Sequence, residues 1–118
     1  MLRVSALYNE TEVDLRAVNG DAKGAAVGVE FGPELMLFAE SLASRDEDLE
    51  RRRQALLNAA GPAVLVDAAG VAANFQRMVR IADAIGIPVD DRSGEMGRHV
   101  RAELDLERFP SAANSVSV

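Results

Sequence analysis

The sequence predicts an all-α fold, a small bundle of three to four helices built round one long central helix at residues 62–85. Three observations predict it. The stretch GPAVLVDAAGVAANFQRMVRIADAIGIP, from Gly61 to Pro88, repeats its apolar residues at helical spacing between a Gly-Pro start and a Gly-Ile-Pro stop. Shorter amphipathic runs with their own start and stop signals lie on both sides of it. Aromatic residues make up only 4% of the chain and Trp is absent, whereas Ala is abundant, so the core packs helix on helix. A chain of 118 residues fits one domain and can bury a core without disulfides or metals. Residues 1–31 read as a poorly defined lead-in, and residues 32–118 as the helical domain.

Taken in order, Leu2, Val4, Ala6 and Tyr8 alternate with Arg3, Ser5 and Leu7 in a short strand-like pattern. Glu10 to Val18 has room for two helical turns before Asn19-Gly20 breaks them. The glycine-spaced run Gly24 to Phe31 is followed by no phosphate-loop Lys-Ser/Thr, so it reads as loosely packed chain and not as an anion cradle. Gly32-Pro33 opens the first clear helix, since Pro is tolerated at the first helical position. Its buried stripe is Leu35, Phe38 and Leu42, joined by Met36 and Ala39.

Ser44-Arg45-Asp46-Glu47 matches a capping box and predicts a second helix running to Ala60 and ending at Gly61. Asp46, Glu47, Asp48 and Glu50 fall in its first turns, where the helix dipole favours acids. Glu47 with Arg51, and Asp48 with Arg52, stand four residues apart with the acid first, the better orientation for a solvated ion pair. Leu49, Leu56 and Ala60 face inward. Pro62 opens the third helix, and Gly86 with Pro88 stops it. Its 24 or so residues span about 36 Å.

In that third helix Val64, Leu65, Ala68, Val71, Ala72, Phe75, Met78, Val79, Ala82 and Ile85 keep a helical period. Ala69, Gly70 and Ala73 add a second, small-residue face. A helix apolar on most sides is expected to be buried on most sides, at the centre of the assembly. One neighbour cannot cover both faces, so a partner is expected, a homo-oligomer with the dimer favoured. At about 25 cal/mol per Å2, a few hundred Å2 of apolar surface per subunit outweighs a typical single-site perturbation. Beyond Pro88, a polar loop (Asp90-Asp91-Arg92-Ser93-Gly94) precedes a fourth helix from Glu95 to about Leu106, with Met96, Val100 and Leu104 at spacing four. Phe109-Pro110 ends it, and Ser111 to Val118 forms a frayed or docked tail.

Charge and composition bound the function. Lys and Arg number 13 against 19 Asp and Glu, a formal net charge of −6, which argues against nucleic acid and anionic membrane as partners. From Ala68 onward the best membrane-span candidate meets Asn74, Gln76, Arg77 and Arg80, so no span is expected. The sequence contains no Cys, which excludes disulfides and thiolate chemistry and fits a cytoplasmic setting. The start, MLRVSALYNETEVD, shows no apolar core of a secretory signal.

No catalytic, metal or cofactor constellation emerges. His99 stands alone without metal-ligand spacing and reads as a surface residue, and no Ser sits in a nucleophile elbow. Asp90-Asp91 reads as a cap. The cluster that stands out is Asn74, Arg77, Arg80 and Asp83, three residues apart in turn, a slanting polar ridge on an otherwise apolar rod. It reads first as an amide and ion-pair network at a helix or subunit interface, and second as the polar lining of a small-molecule pocket.

Three segments carry a family resemblance: LMLFAESLASRDED, RRQALLNAAGPAVLVDAAGVAANFQRMVRIADAIGIPVDD and RAELDLERFPSAANS. Together, over residues 33–115, they resemble the C-terminal half of the AhpD-like (carboxymuconolactone decarboxylase-like) family. VDAAGVAANFQRMVRIADAIGIPVDD and ELDLERFPSAANS are the most specific pieces. The resemblance implies an all-helical fold and self-association through helices of this kind. It does not imply the family's peroxidase activity, which needs a C-x-x-C pair that is missing here. The expected function is therefore a non-catalytic helical association module. The alternatives are a cysteine-independent enzyme using the Asn74/Arg77/Arg80/Asp83 ridge on a small carboxylate or lactone, and a subunit completed by a separate catalytic chain.

Overall fold

The computed structural model describes residues 2–21, 26, 28–88 and 94–115. Among these residues are four α-helices and no strand: α1 Leu2–Tyr8, α2 Gly32–Ser44, α3 Leu49–Ile85 and α4 Glu95–Glu103. Single 3-10 turns occupy Leu15–Asn19, Leu106–Arg108 and Pro110–Ser115. The all-α class is thus the one the composition and periodicity predict. The chain divides into two compact units, Met1–Phe75 and Gln76–Val118.

In the first unit, the alternating start of the chain is helical and not extended. A period of two stabilises a strand only when another strand supplies the ladder, and α1 satisfies its backbone internally instead. Ala6 is its buried contact, and the Asn9 side-chain amide donates to the Ser5 carbonyl at 2.8 Å. The predicted turns before Asn19-Gly20 are a 3-10 helix with Leu15 buried. Asp14 caps it by accepting the Arg16 N–H at 2.9 Å, and the Arg16 guanidinium forks onto the same carboxylate at 3.0 and 2.5 Å. These bonds hold the Asp14 carboxyl below its ordinary range. Gly28 takes φ 75°, and a Cβ there would stand 1.8 Å from the Glu12 carbonyl oxygen. Only glycine lets the two backbones approach so closely.

Helix α2 starts where Gly32-Pro33 predicts. Phe38 is buried, and Leu35, Met36, Ala39 and Leu42 are half-buried. Ser41 is also buried, a polar residue the apolar stripe did not single out. Its hydroxyl donates to the Asp46 carboxylate, which removes the cost of burying it. The capping box is misplaced by two residues. Ser44 still belongs to α2 and donates back to the Glu40 carbonyl at 2.8 Å, while Arg45 ends the helix at φ 56°. Asp46 supplies the cap, accepting the Asp48 N–H at 3.0 Å, and α3 begins at Leu49. A carboxylate bound at once to the Ser41 hydroxyl and to the backbone N–H two residues on outcompetes the Ser44 hydroxyl for the role.

The ion pairs on the first turns of α3 shift accordingly. Asp48 meets Arg51 at 2.6 Å and Arg52 at 3.7 Å, so the expected Asp48–Arg52 contact forms. Arg51 turns to Asp48 and not to Glu47, and Glu50 pairs with Arg53. The hydrogen bond from Arg51 holds the Asp48 carboxyl below its usual range, and the same bond raises the Arg51 guanidinium.

The 37 residues of α3 form two helical arms joined at Gly61, which sits at φ 83°, ψ 173° with Pro62, a residue without a backbone N–H, directly after it. The two arms, 49–60 and 62–85, have the limits that Gly61-Pro62 and Gly86 predict. That backbone region is restricted to glycine, and a Cβ on Gly61 would meet nothing within 4 Å. Gly61→Ala is therefore expected to cost about 1–3 kcal/mol from backbone strain alone. A lower denaturation midpoint at unchanged denaturant slope is the measurement that checks it. At its far end α3 closes with the Ile87 N–H on the Ala82 carbonyl at 3.1 Å and the Gly86 N–H on Asp83 at 3.3 Å, the paired bonds of a Schellman stop.

Burial along α3 departs from expectation. In the first arm Leu56 is fully buried, and Leu49 and Ala60 are half-buried, as their inward placement requires. In the second arm Val64, Leu65, Ala68, Ala69, Ala72 and Ala82 are half-buried, and no residue is fully buried. Val66, Val71 and Phe75 in the first unit, and Met78, Val79, Ile81 and Ile85 in the second, are all more than half exposed. The arm expected to be buried on most sides is covered along one side only. Among the described residues the next longest helix, α2, has 13 residues.

In the second unit, α4 begins at Glu95 as predicted and ends at Glu103, with Leu104 buried and Val100 half-buried. The tail continues as 3-10 turns to Ser115, and the Asn114 side chain packs against Gly86. The Asp90-Asp91 pair and its loop lie outside the described residues, as does the side chain of Met96.

Candidate functional site

The ridge residues Asn74, Arg77, Arg80 and Asp83 are all exposed on α3. Asn74 belongs to the first unit, and Arg77, Arg80 and Asp83 to the second. Asn74 and Arg77 both take part in polar contacts. Asp83 is the member that reaches a concavity. It lies on the rim of a hollow of about 500 Å3 in the second unit, a volume within the range that accommodates small ligands.

The walls of this hollow come from four places. Ala82 and Asp83 close α3, Ile87 follows it, Gly97, Val100 and Arg101 come from α4, and Leu106, Glu107, Phe109, Ser111, Ala112 and Asn114 come from the tail. Ile87, 56% exposed, follows the Schellman stop into the lining, and the tail brings the Asn114 side chain beside Gly86. Arg108 stacks over the Phe109 ring at 4.8 Å from its centroid and fixes that side of the rim. The lining is mostly apolar, with Asp83, Arg101 and Glu107 as its charged groups.

Sequence reasoning found Asp83 and missed the rest of this hollow. Val100 was legible as part of the apolar spacing of α4. Leu106 was legible only as the approximate end of the fourth helix and Phe109 only as the residue before Pro110, with no periodicity to assign either a face.

The chemistry available there is limited. Ser111 provides a hydroxyl, but His99 is not among the lining residues; it is 72% exposed and approaches Glu95 at 3.9 Å. Ser111 shares that lining with the Asp83 and Glu107 carboxylates. Among the described residues no three His, Cys, Asp or Glu side chains gather as a metal site would require. The described buried side-chain polar atoms all have partners, so none is left poised for a ligand. The arrangement supports apolar contact more than bond-making.

The larger unsatisfied feature is therefore the open flank of α3. By length and composition this helix is also able to cross a membrane: its most apolar 18-residue window has a mean hydropathy of 1.5 and is 6% buried. No family model, curated protein or solved structure matches the chain.

Proposed function

We propose that this chain is a helical association module that forms a homodimer through the open flank of α3. The observation that supports the reading is the exposure of large apolar side chains along α3, Val66 at 69% in the first unit and Ile85 at 68% in the second among them. Contiguous apolar surface of this kind marks a place where another surface belongs. Covering it removes apolar area from water at about 25 cal/mol per Å2. The kinship with the AhpD-like proteins proposed from the sequence points the same way, toward helices that assemble subunits.

Light scattering behind a sizing column tests this. A mass twice the 12.6 kDa of the chain is expected at micromolar concentration. A well-folded monomer under those conditions overturns the reading. So does a chain that stays monomeric and sediments with lipid vesicles, because the open flank then serves a bilayer.

A further inference from the structure

Asp83 breaks a local rule of helix electrostatics. It stands in the last turn of α3, where the backbone carbonyls carry partial negative charge and basic side chains stabilise the end. That turn holds no basic residue. Arg80 precedes Asp83 by one turn, yet among the described residues no ion pair joins them, and the Asp83 carboxylate holds no other polar partner. Conflicts of this sort between a residue and its local setting concentrate at functional sites.

The surroundings of Asp83 supply a second observation. Asp83, Ser111 and Asn114 line both the hollow of about 500 Å3 and an adjoining one of about 430 Å3. Every lining residue of both belongs to the second unit. In the larger hollow Ile87, Val100, Leu106 and Phe109 make the rest of the wall mainly apolar. Arg101 and Glu107, its other charged groups, each hold an interaction already. The charge open to a ligand is therefore that of Asp83, with the Ser111 hydroxyl and the Asn114 amide oxygen as neutral acceptors where the two hollows meet.

We propose that this hollow binds a small primary ammonium ion with an apolar body. An ammonium group carries three donors and no acceptor, which matches the carboxylate, hydroxyl and amide oxygens. Its charge offsets both Asp83 and the negative end of α3. The apolar body displaces water from the wall formed by Ile87, Val100, Leu106 and Phe109. An anion meets an uncompensated carboxylate there, and a neutral apolar molecule leaves that carboxylate unpaired. The site is complete within one copy of the chain, so it stands or falls separately from self-association.

Hexylammonium, hexanol and hexanoate share one apolar body and differ in charge, so they test the site directly. Titrated into the isotopically labelled full-length chain at low salt and neutral pH, hexylammonium is expected to shift the amide resonances of residues 82–87 and 109–114 saturably at millimolar concentration. Hexanoate is expected to bind at least about tenfold more weakly. Asp83→Asn is expected to weaken hexylammonium binding about tenfold and to leave hexanol unchanged, the low end for a charged hydrogen bond lost from an exposed rim. The same variant is expected to unfold at a denaturant midpoint no lower than that of the wild type, because it removes a charge that opposes the helix dipole. Equal binding of the three probes, unchanged hexylammonium binding by Asp83→Asn, or no saturable shift in the wild type overturns the site. A lowered midpoint assigns Asp83 a structural task and overturns it as well.

Discussion

Phe38→Ala is expected to lower the unfolding free energy by about 3–5 kcal/mol, the range for truncating a buried phenylalanine. Phe38 is 3% exposed on α2, the face that also buries Ser41 and half-buries Leu35 and Leu42. Removing the ring leaves a void that its neighbours fill only in part. The side chains round that void forfeit dispersion attraction, a cost that adds to the transfer free energy of the ring itself. Domains of this size hold about 5–15 kcal/mol in total. The described core contains few fully buried side chains, so the loss is a large share of what is available. A guanidinium titration followed by far-UV circular dichroism measures it, and a midpoint within experimental error of the wild type contradicts the assigned core.

Most of the helical segments were legible because their signals are local. Gly32-Pro33, Gly61-Pro62 and Gly86 act through φ/ψ restriction and the missing proline N–H, which hold whatever surrounds them. The cap before α3 was misassigned because two candidates sit two residues apart, Ser44 and Asp46. The choice depends on Ser41, whose hydroxyl binds Asp46 from the preceding helix. That is a tertiary fact. The same holds for Leu2 to Tyr8, where alternation suggested a strand but the described residues offer no strand for it to pair with.

Burial was harder to read than periodicity. The apolar pattern of residues 62–85 states which side chains avoid water, and it does not state whether the cover comes from the same chain. Val71, Met78 and Ile85 carry the same signal as a core residue such as Leu56, yet they are exposed here. The hollow beside Asp83 was illegible for a related reason. Its walls depend on how the 3-10 turns at Leu106–Arg108 and Pro110–Ser115 fold back, and such turns have no hydrophobic period to reveal their inner side.

Leu56→Ala separates the core of the chain from its association surface. Leu56 is 0% exposed and lies in the first arm of α3, before the break at Gly61. Truncation to Ala removes three carbon atoms from a closed site and is expected to cost about 2–5 kcal/mol. The exposed large apolar side chains of α3, from Val66 to Ile85, all lie beyond that break, so the substitution leaves the association surface intact. For a chain that folds and pairs together, the denaturation midpoint rises with protein concentration by mass action. Leu56→Ala is therefore expected to lower the midpoint by the same free energy at every concentration, leaving its concentration dependence unchanged. Ile81→Glu, a charge placed among those exposed side chains, is expected to abolish that dependence. If Leu56→Ala removes it too, the first arm belongs to the association surface, and the division of labour at Gly61 is wrong.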